Sequence, residues 1–341
     1  MTSSATTVRA PTSSIASRST TRPASKAGWR RIDPAPIIHD RLSPHKSRSV
    51  VFSRRKYRSI DERFGAAIIL DRRTCPGAER STMKTSGNTI LMTGGGSGIG
   101  EALAHRFHDR GDTVIIVGRR PEALQQAAKG RDRIHIMTLD VEDAEAVDAF
   151  ADKVVADFPS LNVLFNNAGI MMFEDLTKRR SLVDAEATLA INVLGPIRLT
   201  NALIDHLTGQ PDAAIVTVTS GLAYVPLVAA PTYSATKAAI HSYTVSLRTQ
   251  LAGKVEVIEL APPGVQTDLT PGQANRPGYM PLDAFADAVA AQFGRQSTPP
   301  EILVDEVQFL RQAEREGRFD ETLKTLTERA AKQREEGNRQ R

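Results

Sequence analysis

The stretch TGGGSGIG at residues 93–100 decides the fold of this chain. It follows the apolar run Asn88–Met92, which predicts a short buried strand, and it leads into Gly98–Arg110, which predicts a helix. Glycines let the backbone approach a pyrophosphate closely, and a helix N-terminus offers unpaired N–H groups with a positive dipole end. An ordinary glycine-rich turn would contain the same residues, but the strand–loop–helix order favours a dinucleotide site. The residues expected to contact the dinucleotide here are Thr93, Gly94, Ser97, Gly98, Ile99 and Gly100.

The spacing of the glycines narrows the kind of nucleotide site. It is Gly-x-x-x-Gly-x-Gly, not the Gly-x-Gly-x-x-Gly of the general dinucleotide fingerprint. No Lys-Ser or Lys-Thr pair follows the glycines, so the sequence excludes a P-loop.

The rest of the chain alternates apolar runs with helical patterns. Continuous apolar strands separated by helices indicate a parallel sheet that is covered on both faces. We therefore predict an α/β fold, with a single doubly wound parallel sheet of Rossmann type and helices on both faces. The further predicted strands are Thr113–Val117, Ile134–Leu139, Leu161–Phe165, Ile215–Thr219 and Val255–Leu260. The further predicted helices are Pro121–Ala128, Ala144–Asp157, Leu182–Leu207 with a break at Gly195-Pro196, Thr232–Leu251 and Leu282–Phe293.

Charge divides the chain into parts. Residues 1–82 contain 17 lysines and arginines against 6 acidic residues, whereas the remainder contains 27 against 33. The net charge of +5 therefore comes from the N-terminal part and does not predict nucleic-acid binding by the folded domain. We predict a disordered extension over residues 1–82, a Rossmann-type domain over 83–312, and a charged, solvated C-terminal helix or tail over 313–341. Within the domain, the period of Glu301–Leu310 does not separate strand from helix.

Three interpretations fit the Ser- and Arg-rich residues 1–82. They could form an organelle transit peptide, since they are poor in acidic residues. They could form a basic arm that binds nucleic acid or a membrane surface. They could also be an upstream translation artefact, with the working start at Met83, because Met83–Gly87 leads directly into the first strand. We favour the artefact, which a native chain beginning near Met1 would contradict.

The end of the second predicted strand, Gly118-Arg119-Arg120, bears on cofactor choice. An acidic residue about 20 positions after the glycine loop would hold the ribose 2′-hydroxyl of NAD. No acidic residue stands there, since Glu122 comes only after Pro121. Arg119 and Arg120 could instead pair with a 2′-phosphate, although exposed surface arginines would look the same. We predict NADP(H) as the cofactor, with NAD(H) as the alternative.

Tyr233 and Lys237 stand four residues apart, so they share one face of a predicted helix. A tyrosine is a poor base at neutral pH, because its ordinary pKa is about 10. An ammonium one helical turn away favours the phenolate and moves the tyrosine toward acid–base chemistry. Ser220 ends the preceding apolar run and could offer a hydroxyl to the same substrate oxygen. A solvated helix face often produces Tyr-x-x-x-Lys by chance, so the pair gains meaning only beside a cofactor site.

With these residues assembled, residues 84 to about 300 resemble the short-chain dehydrogenase/reductase family. The glycine loop, the Ser220–Tyr233–Lys237 set and Asn192 in the long helix match its motifs in type and order. Further matches are Asp140-Val141, Asn166-Asn167-Ala168-Gly169, and Pro263-Gly264 with Thr267. The runs at 220–223, 238–243 and 259–263 are similar to the DltE-like branch of the family.

The resemblance implies a role for each position. Tyr233 would be the general acid that protonates a carbonyl oxygen as hydride arrives, and Lys237 would lower the pKa of Tyr233 and bond the nicotinamide ribose. Ser220 would hold the carbonyl oxygen, and Asn192 would position a water that relays protons to Lys237. The expected cofactor contacts beyond the glycine loop are Arg119, Arg120, Asp140, Val141, Asn167, Ala168, Gly169, Tyr233, Lys237, Pro263, Gly264 and Thr267.

These residues predict an oxidoreductase that transfers hydride between NADP(H) and a carbonyl or secondary alcohol. The alternative is a non-enzymatic dinucleotide sensor on the same fold, but such proteins typically lose the catalytic tyrosine or lysine, and both are present. The family's usual subunit contacts fall on 182–207 and 232–251, which implies a homodimer or homotetramer. The loop Thr267–Met280 would set substrate specificity.

The cysteines and histidines indicate whether disulfides or metal sites are to be expected. Cys75 is the only cysteine, so there is no internal disulfide framework, and a reducing cytoplasmic location fits. The seven histidines lack metal-ligand spacing, so we predict no metal, and we expect His241 to be packed or exposed. We also expect no apolar run of transmembrane length and no membrane partner.

Overall fold

The computed structural model describes residues 82–339, with side chains up to residue 332. The extension predicted for residues 1–82 therefore lies outside the described residues, except for Thr82. The strands are β1 (Thr89–Thr93), β2 (Thr113–Gly118), β3 (Ile134–Thr138), β4 (Val163–Asn166), β5 (Ala214–Val218), β6 (Glu256–Leu260) and β7 (Glu301–Ile302). Within residues 82–339 they form one seven-stranded sheet in the order β3-β2-β1-β4-β5-β6-β7, with every pair parallel.

Helices cover both faces of this sheet, which confirms the predicted doubly wound fold. They are α1 (Gly98–Asp109), α2 (Pro121–Ala128), α3 (Ala144–Asp157), α4 (Val183–Leu189), α5 (Gly195–Thr208), α6 (Pro231–Gln250), α7 (Leu282–Phe293), α8 (Asp305–Arg311) and α9 (Phe319–Arg339). On one face, the rings of Phe107, Phe165 and Phe293 meet with centroids 5.4–5.9 Å apart, joining α1 and α7 to β4. On the other face, Val154 of α3 and Leu203 of α5 belong to a second buried cluster.

The long helix of the sequence prediction continues through Gly195-Pro196 instead of breaking there. A π-helical turn, Ala190–Leu194, joins α4 to α5, and the Gly195 N–H bonds back five residues to the Ala190 carbonyl. We attribute the continuity to this wider turn, which tolerates the missing N–H of Pro196. The joined helix has 26 residues and is apolar enough to cross a membrane by length and composition, contrary to our expectation. Leu199, Leu203 and Leu207 are nevertheless buried in the core of the fold.

The C-terminal part contains more packed structure than the sequence led us to expect. Glu301–Leu310 divides into β7 and the start of α8, so both interpretations of that run hold in part. We expected a solvated helix or tail beyond residue 312; α9 forms there, but Phe319, Leu323 and Leu326 pack against buried residues. The reason is the spacing of its apolar residues, which places them on one helical face.

The strand order locates the functional edge of the sheet. The chain runs outward from β1 to β3 and then returns to place β4 on the other side of β1. In open α/β sheets, ligands bind beyond the carboxyl ends of the strands at such a reversal. The loops that follow β1, β4 and β5 therefore meet where a site is expected.

Candidate active site

The glycine loop after β1 is folded so tightly that side chains could not replace its hydrogens. A Cβ added at Gly100 would lie 2.2 Å from the Gly94 carbonyl oxygen, and one at Gly95 would lie 2.6 Å from Ile116. Gly94 and Gly98 have positive φ angles of 68° and 56°. Ser97 precedes α1 with no side-chain cap, so the first N–H groups of that helix are left for a ligand. This cradle fits a pyrophosphate.

The NNAG motif after β4 holds the glycine loop in place. Thr93 Oγ1 accepts hydrogen bonds from the backbone N–H groups of Asn167 and Ala168, both at 3.0 Å. Asn167 Nδ2 donates to the carbonyl oxygens of Thr93 at 2.9 Å and Gly94 at 3.3 Å. The polar side chains of Asn167 and Thr93 therefore join the carboxyl ends of β1 and β4.

A cleft of about 370 Å³ opens beside this loop. Its lining includes these sequence-predicted residues: Thr93, Gly94, Ser97, Arg119, Arg120, Asp140, Val141, Ala168 and Gly169. The structure places the other predicted cofactor residues outside the lining: Gly98, Ile99, Gly100, Asn167, Tyr233, Lys237, Pro263, Gly264 and Thr267. Arg119 Nη1 lies 3.8 Å from Asp140 Oδ2, and both side chains are about half exposed.

Thr267 belongs to the loop after β6 and lies against the start of α1. Its methyl group would be 3.5 Å from a Cβ at Gly98, and its hydroxyl accepts a 3.1 Å hydrogen bond from Gln273 Nε2. The same loop brings the Tyr279 ring within 3.1 Å of a Cβ placed at Gly264. This loop therefore contacts the start of α1 through Thr267.

Ser220, Tyr233 and Lys237 come together at the end of β5 and the start of α6. All three are buried, with relative exposures of 7%, 7% and 4%. Lys237 Nζ lies 5.6 Å from the centroid of the Tyr233 ring and donates a 2.8 Å hydrogen bond to the Val218 carbonyl. Ser220 Oγ accepts a 3.1 Å bond from the Leu222 N–H, which fixes it at the strand end.

The pKa values of the pair differ from the sequence expectation. Burial raises the pKa of Tyr233 to about 12, the hydrogen bond from Ser220 offsets part of this, and the Tyr279 charge adds to it. Burial alone lowers the pKa of Lys237 to about 8. We expected the ammonium of Lys237 to lower the pKa of Tyr233, but burial is the largest cause at both groups: it raises the pKa of Tyr233 and disfavours the ammonium of Lys237.

Asn192 lies in the π-helical turn and is held in one orientation. Its Oδ1 accepts from the Ile170 N–H at 2.9 Å, while its Nδ2 donates to the Ile170 carbonyl at 2.9 Å and to Thr236 Oγ1 at 3.1 Å. A Cβ at Gly169 would lie 3.3 Å from Asn192 Oδ1 and 3.6 Å from Lys237 Nζ. Asn192 Oδ1 and Lys237 Nζ therefore border the space that is open because Gly169 has no side chain.

Sequence reasoning missed a buried polar cluster beside this set. Glu259 on β6 has no exposed surface, and it accepts hydrogen bonds from Thr219 at 2.8 Å, Tyr224 at 3.0 Å and His241 at 2.9 Å. Burial would raise the pKa of Glu259, but these hydrogen bonds and the charge of His241 hold it below its usual value. Glu259, between the apolar residues Ile258 and Leu260 of β6, was the signal that could have revealed the cluster.

Comparison with known proteins agrees with this geometry. Residues 88–277 match the short chain dehydrogenase family. The "Uncharacterized oxidoreductase DltE" of Bacillus subtilis (strain 168) is 40% identical over 238 residues, which are 68% of this chain and 94% of that protein.

Solved structures show the same likeness. The 3-ketoacyl-(acyl-carrier-protein) reductase from Brucella melitensis, complexed with NADH, has a TM-score of 0.58 and 28% identity, covering 64% of this chain and 96% of that one. The closed form of a serine dehydrogenase, complexed with NADP+, has a TM-score of 0.57 and 25% identity, covering 63% and 93%. The extent of the family match and of the DltE alignment shows that the chain belongs to the short-chain dehydrogenase family, in its DltE-like branch.

Proposed function

We propose that the protein transfers hydride between NADP(H) and a carbonyl or secondary alcohol, with Tyr233 as the general acid and base. The observation that carries the proposal is the convergence of Ser220, Tyr233 and Lys237 next to a cleft that fits a dinucleotide. A bound nicotinamide would supply the hydride to the carbonyl carbon. The proton on the oxygen would come from the Tyr233 hydroxyl, so that one hydride and one proton convert C=O into CH–OH.

The hydroxyl of Ser220 supports this proposal because its hydrogen bond to Tyr233 keeps the two hydroxyls together. Two donors aimed at one oxygen stabilise the negative charge that develops there as the carbonyl is reduced. The neutral phenol, favoured by burial, is the form of Tyr233 that can donate a proton in the reductive direction.

Proton resupply would run through Lys237 and the space beside Gly169. Lys237 Nζ and Asn192 Oδ1 border this space, and Asn192 is held by two hydrogen bonds to the backbone of Ile170. A water between the two groups could accept a hydrogen bond from Lys237 Nζ and donate one to Asn192 Oδ1. The relay would return a proton to Tyr233 after each reduction.

The preference for NADP(H) rests on the arginines at the end of β2. Arg119 and Arg120 line the cleft, and no acidic residue follows the strand before Glu122. The similar structures named above contain NADH in one case and NADP+ in the other, so the residues of this chain must decide. A guanidinium pairs well with a phosphate dianion, which favours the 2′-phosphate.

We also propose a homodimer or homotetramer formed through the joined helix α4–α5 and α6. Val183, Leu189 and Leu194 on the first, and Val245 on the second, are 44–68% exposed despite being apolar. An apolar patch on neighbouring helices is the kind of surface that a second copy covers.

Substitution of Tyr233 tests the function directly. Tyr233→Phe should abolish NADPH oxidation with a panel of ketones while NADPH binding, measured by fluorescence, changes little. The matched control is Tyr243→Phe, which removes a phenol hydroxyl from the same helix, bonded to Thr200. Retained turnover in Tyr233→Phe would refute the role of Tyr233, and a wild-type protein that binds NADPH but reduces no ketone would favour the sensor alternative.

A further inference from the structure

Tyr233 and Ser220 are each only 7% exposed, so other side chains cover the proposed reaction centre. A substrate carbonyl must reach both hydroxyls before hydride can be transferred. The side chains that cover Tyr233 and Ser220 therefore decide which substrates can reach the two hydroxyls.

Apolar side chains form part of the cover over Tyr233. Tyr233, Leu227 and Ala230 form one buried cluster. The partly buried side chains packed against this cluster are Met171, Leu222, Ala229, Leu326 and Ala330. Leu326 and Ala330 come from α9, almost one hundred residues further along the chain.

α9 has two contrasting faces. Phe319, Leu323 and Leu326 recur at helical spacing and pack against the buried cluster of Val225, Leu310 and Ala313. The opposite face carries Lys324 and Glu328, whose side chains are 76% and 66% exposed. The helix therefore has an apolar face on the domain and a charged face toward solvent.

The connection before α9 contains a left-handed glycine. Gly317 has a φ of 67°, and nothing lies within 4 Å of the position of its Cβ. A left-handed glycine in open space can change its backbone angles without a steric clash. The charged face of α9 would stay hydrated if the helix withdrew, whereas withdrawal would break the apolar contacts of the other face and the contacts of Arg318 and Arg329 with the Phe309 ring.

We propose that α9 is the outer wall of the substrate site, and that Leu326 and Ala330 select for a ketone or secondary alcohol with an apolar body. The inference rests on the proposed function of Tyr233. A substrate that enters beside Tyr233 replaces contacts made by these two side chains. An apolar body restores the lost burial, whereas a polar body leaves its own groups without hydrogen-bond partners.

A series of ketones tests the wall in the full-length protein. With NADPH, kcat/KM of the wild type should rise from 2-butanone through 2-hexanone to 2-octanone, by about fourfold for each methylene buried. Leu326→Ala should shift the preferred chain length upward, and Ala330→Leu should shift it downward, because one enlarges the site and the other fills it. Lys324→Ala, on the exposed face of the same helix, should leave the series unchanged.

Melting temperature and NADPH affinity establish that each variant is folded and binds cofactor. A wild-type series that is flat or falls with chain length would overturn the proposal. So would equal effects of Leu326→Ala and Lys324→Ala.

A second readout does not depend on turnover. Saturating 2-octanone should slow backbone hydrogen exchange at residues 222–233 and 319–330, and dihydroxyacetone should not. If the wild type reduces no ketone, the proposed function fails, while protection by 2-octanone would still place an apolar ligand under α9. Absence of that protection would refute the proposal that α9 lines the substrate site, whether or not the enzyme is active.

Discussion

Glu259 and His241 form an ion pair in which the carboxylate has no exposed side-chain surface and the imidazole is 28% exposed. The hydrogen bond from His241 to Glu259, opposed by burial, raises the pKa of His241, with Glu301 adding to the effect and Arg311 reducing it. Because Thr219 and Tyr224 bond the same carboxylate, the cluster spans both sides of Ser220. The Glu259–His241 pair therefore links folding stability to the position of a proposed catalytic group.

Stability should depend on pH through this pair. The raised pKa of His241 gives a contribution that is complete below its ordinary value of 6.5 and is lost as pH rises through the folded value. The lowered pKa of Glu259 gives a contribution present above 4.5 and lost as pH falls. Glu259→Gln should therefore cost about 1–3 kcal/mol in the free energy of unfolding between these values, and less at higher pH.

Urea titrations from pH 4.5 to 9 measure this effect. The exposed Glu122→Gln serves as the control, since it removes a carboxylate without a buried partner. A constant difference between wild type and Glu259→Gln across the range would show that the pair does not titrate as the structure implies.

Gly169→Ala should slow catalysis selectively. Its methyl group would lie 3.3 Å from Asn192 Oδ1 and 3.6 Å from Lys237 Nζ, and it would crowd the space between these atoms in which we propose the relay water. We expect kcat to fall by about 100-fold, the lower end of the range for loss of one acid–base step. Gly209→Ala, whose Cβ meets only His206 and Asp205 carbonyls at 3.4 and 3.7 Å, is the control. Equal kcat values in the two variants would argue against a water at this position.

The sheet was predictable because its strands are continuous apolar runs and its helices have clear periods. Every residue of β1 and β5 is buried, so the sequence of each is a continuous run that predicts a buried strand. Local pattern failed where a backbone adjustment or a contact between distant residues decides the outcome. The π-helical turn before Pro196 depends on a backbone adjustment, and the packing of α9 depends in part on Val225, far away in sequence. The pKa of Tyr233 likewise follows from burial, which spacing alone does not reveal.

Cofactor preference should reside in the two arginines at the end of β2. Arg119→Ala and Arg120→Ala should each raise the Kd for NADPH by roughly 10- to 100-fold, the value of one charge-assisted hydrogen bond, and change the Kd for NADH little. Arg295→Ala, an exposed arginine after α7, should affect neither. Fluorescence titration with both nucleotides makes the comparison. Equal losses for NADPH and NADH would indicate that the arginines contact something other than a 2′-phosphate.

The pH dependence of reduction should report Lys237 rather than Tyr233. With a pKa of about 12, Tyr233 keeps its proton throughout the usable range. With a pKa of about 8, Lys237 loses its charge within that range. We therefore expect kcat/KM for ketone reduction to fall above about pH 8, since this parameter titrates groups of the free enzyme. Lys237→Arg should retain some activity, but its kcat/KM should not fall above pH 8, because a guanidinium keeps its charge. If kcat/KM of Lys237→Arg still falls above pH 8, another group is responsible for the titration.

Assembly through α4 and α6 should be sensitive to a single charge. Leu189 is 46% exposed on the helix that meets α6, and in a symmetric interface each copy would contribute the same side chain. Leu189→Asp would place two like charges in an apolar contact, so the molar mass from light scattering should fall to that of one chain. Val228→Asp alters an equally apolar residue that is 55% exposed outside these helices, and it should leave the mass unchanged. A wild type that is monomeric at micromolar concentration would contradict the interface, and dissociation by Val228→Asp instead would move it to the loop before α6.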